Sequence, residues 1–309
     1  MSGAPTFPPT PWHVAGRWRV WTRDPEEISP SAWLAAVEAL IARGGSLHRS
    51  KHADTYRWTR PEGEIYVKVY RRYRRWTAFK DWFRPSKAAN VGRVSAALAA
   101  RGFLVPEVLA VGEERGRAAA RRSWCAAAAL EGEPIADRLT GLAAPGPSAA
   151  VAREHATTML RAKRGVLDAL GREVARLHAA GVVAGDLVPA NVWIALLDAE
   201  LQIAFLDHDR TRVGTRPAAW RTSRRNLVQL NRIVVPGVVA TDRLRVWRAY
   251  AAARGWSRPD ARRRLPWLIT KTLARRRAEH GVTIPRGAGF RTVMRADGPY
   301  ARGRTEVSS

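Results

Sequence analysis

The chain has one cysteine, Cys125, so it can form neither an internal disulfide nor a cysteine cluster for zinc. A reducing compartment is compatible with that count. Lysine is scarce, with six among 53 basic residues, and arginine supplies the rest. Only 27 residues are acidic, which leaves a formal net charge of +26. No apolar run approaches the roughly 20 residues that span a bilayer. The opening MSGAPTFPPTPW has no basic segment leading into an apolar one, so no secretory signal is expected. A glycine-rich phosphate loop is missing, and from Trp82 through Pro106 there is no Asp or Glu. No internal repeat is present.

What remains is a chain of 309 residues, 46% hydrophobic, enough for one large domain or two modest lobes around a sizeable core. The arginine excess has two readings. One is a GC-rich genome. The other is a partner carrying many phosphates: anionic lipid, phosphorylated glycan or nucleic acid.

Periodicity gives the elements. A Pro-rich stretch fills residues 1–15. Ser29, Pro30 and the stop Gly44-Gly45 bracket a helix over 30–43 with Trp33, Val37, Leu40 and Ile41 as its apolar stripe. Residues 46–70 are extended, and Ile65, Val67 and Val69 alternate with Tyr66, Lys68 and Tyr70, which puts Lys68 on the side of the two tyrosines. A helix over 88–101 and strands over 105–112 and 123–130 complete a small sheet with one main helix. Residues 140–150 are Gly/Pro/Ala-rich and predict a loop. A long helix runs from about Met159 to Ala180, then strands over 191–197 and 201–207, then mostly helix to about His280. Four segments follow: a 1–45 extension, a 46–130 N-lobe that binds nucleotide phosphates, a 131–284 C-lobe with the catalytic loop, metal site and acceptor site, and a 285–309 tail.

The chemistry concentrates in Gly185-Asp186-Leu187-Val188-Pro189-Ala190-Asn191 and Phe205-Leu206-Asp207. An Asp follows a long helix, an Asn comes five positions later, and a second Asp ends the next strand. This is the layout of a kinase catalytic loop and its metal-binding Asp. Asp186 is placed to take the proton of an acceptor hydroxyl. Asn191 and Asp207 supply hard oxygens suited to Mg²⁺, and Lys68 can hold the α- and β-phosphates of ATP. Taken alone, Asp-x4-Asn is equally a solvated turn and a strand cap, and Lys68 a surface strand lysine. The order strand lysine, long helix, Asp-x4-Asn, strand, Leu-Asp is the specific signal.

These pieces, with Tyr66-Val67-Lys68-Val69-Tyr70, Phe83-Arg84-Pro85-Ser86-Lys87-Ala88, Arg101-Gly102-Phe103-Leu104-Val105-Pro106, Gly181 to Leu187, Leu206 to Arg210 and Trp220 to Asn226, resemble the bacterial lipopolysaccharide core kinases, the heptose and Kdo kinases and their relatives. The resemblance covers about residues 47–280. It implies an α+β, two-lobed protein-kinase-like fold with a small β-rich N-lobe and a larger helical C-lobe. It also implies a cytoplasmic, membrane-associated, ATP- and Mg²⁺-dependent kinase acting on a sugar hydroxyl of the lipopolysaccharide inner core. The carried-over roles are Lys68 for nucleotide phosphates, Asp186 as base, and Asn191 and Asp207 for metal.

Three departures bear on activity. The helix glutamate that usually pairs with the strand lysine falls at about Val91, so Lys68 needs another orienting group. The histidine usually two before the catalytic Asp is Ala184. In place of a glycine-rich loop stands LHRSKHADTYRW, where Ser50 and Lys51 are the candidates to cover the phosphates. These gaps keep open a kinase-fold pseudoenzyme that docks on a membrane or partner. Basic–aromatic clusters at Arg71 to Trp76, Trp220 to Arg225 and Arg262 to Arg277 suit an anionic membrane surface and a phosphorylated, lipid-linked glycan. They are equally a solvated face over core tryptophans. Nucleic acid is the least favoured partner, for want of any recognised binding signature. His178 is expected to pack rather than react, Cys125 to be a buried strand residue, His208 to be structural, and Asp209 to stand behind the metal ligands.

Overall fold

The computed structural model describes residues 12–50, 52–71, 85–115, 120–143, 152–197, 200–232 and 234–280. The chain divides into two compact units, Met1–Glu131 with Leu206–Thr211, and Gly132–Phe205 with Arg212–Ser309.

The first unit is an antiparallel sheet of seven strands: β1 (His13–Ala15), β2 (Trp18–Thr22), β3 (His48–Arg49), β4 (Ala53–Arg60), β5 (Gly63–Arg71), β6 (Val108–Arg115) and β7 (Ala120–Ala128). Their order is β1-β2-β6-β7-β5-β4-β3. Strand period two sends alternate side chains of β5 to opposite faces. Ile65, Val67 and Val69 join Trp18, Val20, Tyr56 and Trp124 under α1 (Pro30–Arg43), which contributes Trp33, Val37 and Leu40. α1 forms where its signals predict: the Ser29 hydroxyl accepts from Ala32 N, Pro30 opens the first turn, and Gly44 at φ 76° ends it. On the other face, Tyr70 packs with Trp21, Ala88, Val111 and Cys125, and Val91 of α2 (Lys87–Ala99) lies against this cluster. Lys68 shares this second face. At Gly112 the Trp124 ring lies so close that a Cβ would sit 2.2 Å from it, so only glycine fits.

β1 and β2 are not announced by the sequence pattern. β2 buries residues on both faces, with Trp18, Val20, Trp21 and Thr22 all inside, so it lacks the alternation that marks a half-buried strand. It pairs with β6 from Trp18 opposite Glu114 to Thr22 opposite Ala110.

The second unit is mainly helical: α3 (Ile135–Gly141), α4 (Ala152–Ala179), α5 (Trp220–Arg232), α6 (Ala240–Ala253) and α7 (Arg258–His280). Two small sheets accompany them. β8 (Glu133–Pro134) and β11 (Glu200–Phe205) flank β10 (Val192–Leu197), and β9 (Val182–Val183) pairs with β12 (Arg212–Val213). α4 starts at Ala152, about two turns before the apolar stripe begins. Its first residues, AREHATT, carry no periodic signal, but Ala, Arg and Glu are good helix formers. α4 packs on α6 at Gly171, where an added Cβ would lie 2.5 Å from the Val246 carbonyl. Trp247, buried Tyr250, Leu167, Leu170 and Val174 fill this core.

The tryptophans of the basic clusters serve this core. Trp220 meets Trp247, Trp256 and Trp267 edge to face, with centroids 5.5–6.1 Å apart. Arginines stack outward on them, Arg224 4.2 Å from the Trp267 centroid and Arg264 4.5 Å from that of Trp256. The Arg71 to Trp76 cluster beyond Arg71, the phosphate-loop candidate Lys51, residues 144–150 of the expected loop, and the 285–309 tail lie outside the described residues.

Candidate active site

In the first unit β5 delivers Lys68. Its amine bonds Asp207 Oδ1 at 2.8 Å and stands 5.5 Å from the Tyr70 ring centroid. Both partners are about one-third exposed. Asp207 follows β11, beyond the strand rather than at its end, and is the one non-glycine residue with positive φ (57°) among the described residues. A left-handed backbone at a non-glycine residue is held only where its surroundings fix it. Here they do. α2 holds the next turn, since Asn90 Nδ2 donates to the Asp209 carbonyl at 3.1 Å and Lys87 Nζ lies 3.5 Å from the Asp209 carboxylate. Asp209 therefore anchors the segment that carries Asp207, and His208 is buried within it.

Val91, in the slot for the usual helix glutamate, packs against the Tyr70 cluster. The acidic group that orients Lys68 is Asp207 itself. Cys125, opposite Lys68 on β7, is buried, and burial pushes its thiol up to about 12, with the Lys68 charge opposing. It stays a protonated, unreactive core residue. Ser50 is used within its own turn: Oγ accepts from His52 N and Ala53 N and donates to the Ala53 carbonyl at 2.9 Å.

In the second unit Asp186 lies on the irregular segment after β9. Asn191 closes the 3₁₀ turn Pro189–Asn191 instead of heading the strand, because Pro189 fixes φ for a tight turn there. Asn191 Nδ2 donates to the Asp186 carbonyl at 3.0 Å, which directs its Oδ1 away from that bond. Asn191 Oδ1 and, in the first unit, the Asp207 carboxylate are each hard oxygen donors of the kind Mg²⁺ takes.

α5 supplies the support for this loop. Gln229 Nε2 donates to Asp186 Oδ1 at 3.0 Å and to the Gly185 carbonyl at 3.2 Å. Asn226 holds Ala184 from both sides, accepting from its N–H at 3.0 Å and donating to its carbonyl at 2.8 Å. Behind Asn226 stands His178, fully buried, with Nε2 3.2 Å from Asn226 Oδ1 and Nδ1 2.9 Å from the Tyr250 hydroxyl. The Ala184 carbonyl can only accept, which fixes the Asn226 amide. Asn226 Oδ1 can then only accept, so His178 carries its proton on Nε2 and accepts a hydrogen bond from the Tyr250 hydroxyl at Nδ1. Burial drives the His178 pKa down to about 4, with the hydrogen bond to Asn226 opposing, so the ring is neutral at pH 7. Arg232, one turn beyond Asn226 and Gln229, lies 3.8 Å from Asp186 Oδ1.

Lys68, Ser50 and Asp207 thus belong to the first unit, and Lys68 and Asp207 touch. Asp186 and Asn191 belong to the second and are joined through the loop backbone. Sequence reasoning did not find Asn90, Asn226, Gln229 or Arg232. The available signal was two polar residues three apart on an otherwise apolar helix face, Asn226 and Gln229 among Leu227, Val228 and Leu230.

A strand lysine bonded to an aspartate, with a separate Asp-x4-Asn loop held from a following helix, defines a protein-kinase-like fold. A solved structure described as WaaP in complex with acyl carrier protein is similar at 20% identity over 83% of this chain and 99% of that one, with a TM-score of 0.56. A Stt7 homologue from Micromonas algae, soaked with ATP, is similar at 15% identity over 77% of this chain and 78% of that one, with a TM-score of 0.37. No curated protein matches. The lipopolysaccharide kinase (Kdo/WaaP) family matches residues 38–250, and the chain belongs to that family.

Proposed function

We propose that this member of the family is an ATP-dependent phosphotransferase acting on a heptose or Kdo hydroxyl of the lipopolysaccharide inner core. The observation that supports it most is the pairing of Lys68 with Asp207 at 2.8 Å despite the valine in the glutamate slot, because the lysine is still aimed by an acid of the kinase set. In this reading Lys68 holds the α- and β-phosphates. Asp186 takes the proton as the acceptor oxygen forms its bond to the γ-phosphorus and the bond to the β–γ bridging oxygen breaks, releasing ADP. Asn191 and Asp207 would hold Mg²⁺, which neutralises phosphate charge when bound. Ser50, with its hydroxyl and its N–H both bonded to the Ala53 carbonyl, would shape the turn rather than hold phosphate itself.

The acceptor is a phosphorylated, lipid-linked glycan, met on the inner face of the cytoplasmic membrane. Exposed Arg221, Arg225, Arg262, Arg263 and Lys271 support contact with such anionic groups. None of the helices among the described residues is long and apolar enough to cross a membrane. Transfer of labelled γ-phosphate from ATP to purified inner-core oligosaccharide tests the reading. Transfer abolished in Asp186→Ala is expected, and equal transfer in that variant would overturn it.

Val91 and Ala184 favour a second reading, a kinase-fold protein without turnover that docks on anionic membrane. It predicts salt-sensitive liposome binding and no thermal stabilisation by ATP with Mg²⁺.

A further inference from the structure

We infer that Gln229 is a positioning residue for the Asp186 carboxylate, supplying from α5 the support that Ala184 cannot give from within the loop. The inference rests on the kinase reading above and adds a residue to it.

The Gln229 side chain is buried, and both ends of its carboxamide are committed to one short stretch of chain. Nε2 donates to Gly185 O and Asp186 Oδ1, and Oε1 accepts from Leu187 N at 3.4 Å. Three consecutive residues, 185 to 187, are thereby fixed by one side chain. The amide cannot be turned over. Gly185 O only accepts, so the nitrogen must face it, and Asn226 Nδ2 donates to Oε1 at 2.8 Å from the other side. Asn226 is held in turn by His178 and Tyr250. The hydrogen bond from Nε2 fixes the Asp186 carboxylate plane, so that the acceptor hydroxyl meets it in one orientation. Arg232, on the next turn of α5, faces the same oxygen at a longer 3.8 Å. The methyl of Ala184 offers no such bond. In this chain the loop's polar support comes from a helix more than 40 residues further on.

Gln229→Glu is close to isosteric. It keeps the acceptor for Leu187 and Asn226 but puts a carboxylate against Asp186 Oδ1 where a donor stood, so the Asp186 side chain should turn away. Gln229→Met removes the donor without adding a charge and keeps the bulk. We expect kcat at pH 7 to fall at least about tenfold in Gln229→Glu and less in Gln229→Met, with KM for ATP within about twofold in both. A loss of packing alone would lower the melting temperature and leave kcat of the folded protein in place. Crystal structures of the wild type and the two variants report the Asp186 carboxylate orientation without turnover, and a carboxylate turned or disordered in both variants is expected. Unchanged kcat, or a carboxylate in the wild-type orientation in both variants, overturns the inference. Absent transfer in the wild type overturns the kinase reading instead, and the carboxylate orientation then still decides whether Gln229 positions Asp186.

Discussion

Lys68 and Asp207, 139 residues apart in sequence, meet at 2.8 Å, and Asp207 holds a left-handed backbone to do so. In the proposed reading the pair replaces the usual lysine–glutamate bridge, and each partner would orient the other before nucleotide binds and meet phosphate or metal afterwards. Lys68→Met should reduce phosphate transfer by about 10²-fold or more, the scale of removing one electrostatic donor from a transferring group. Lys68→Arg should restore little, because a planar fork does not reproduce a point charge. Steady-state transfer across a range of ATP concentrations checks both. Full activity in Lys68→Met would remove Lys68 from the site.

Much of this was legible beforehand. The alternation around Lys68 and the caps of α1 are local signals, and the structure follows them, whereas Asn191 closes a 3₁₀ turn instead of heading the strand the spacing suggests. What sequence left unread depends on packing. β2 is buried on both faces and has no period. The first turns of α4 rest on propensity without a stripe. Asn226 and Gln229 look like breaks in an apolar face until the loop they support is placed against them. That Lys68 would find Asp207 could not be read from spacing, since the pairing depends on α2 holding Asp209 through Asn90 and Lys87.

His178 should make stability depend on pH. Its folded pKa lies at about 4, below the ordinary value near 6.5, because burial penalises the charged ring. Between those values the unfolded chain binds a proton that the folded chain does not. The contribution is fully present above about pH 6.5 and is lost as pH falls toward 4, by roughly 3 kcal/mol at most. His178→Gln, which cannot titrate, should be less stable than wild type at pH 8 but show a shallower decline toward pH 4. Urea melts from pH 8 to pH 4 measure both slopes, and parallel curves would mean that His178 does not set the decline.

Cys125 offers a readout of opening in the first unit. Its thiol is buried in β7 beside Val111 and Tyr70, and burial raises it to about 12. The thiolate is the reactive form, so the native protein should resist a thiol reagent at pH 8. Denaturant should release the chain's single equivalent of thiol. Rapid labelling of the native protein would show that the Tyr70–Cys125 cluster opens readily.

Two glycines of α4 should respond to alanine with opposite signs. At Gly171 an added Cβ would lie 2.5 Å from Val246 O, 2.7 Å from Ala249 Cβ and 3.0 Å from Tyr250 N. The obstacle is largely α6 backbone, so the helices must separate, and Gly171→Ala should cost about 1–3 kcal/mol. At Gly165, exposed on the same helix, a Cβ meets nothing within 4 Å. There only helix propensity changes, and Gly165→Ala should stabilise by about 1 kcal/mol. For a chain of this size each kilocalorie moves the melting temperature by about 2–4 °C. Thermal melts of the two variants should therefore shift in opposite directions from wild type. A harmless Gly171→Ala would mean that α4 and α6 do not pack through that residue.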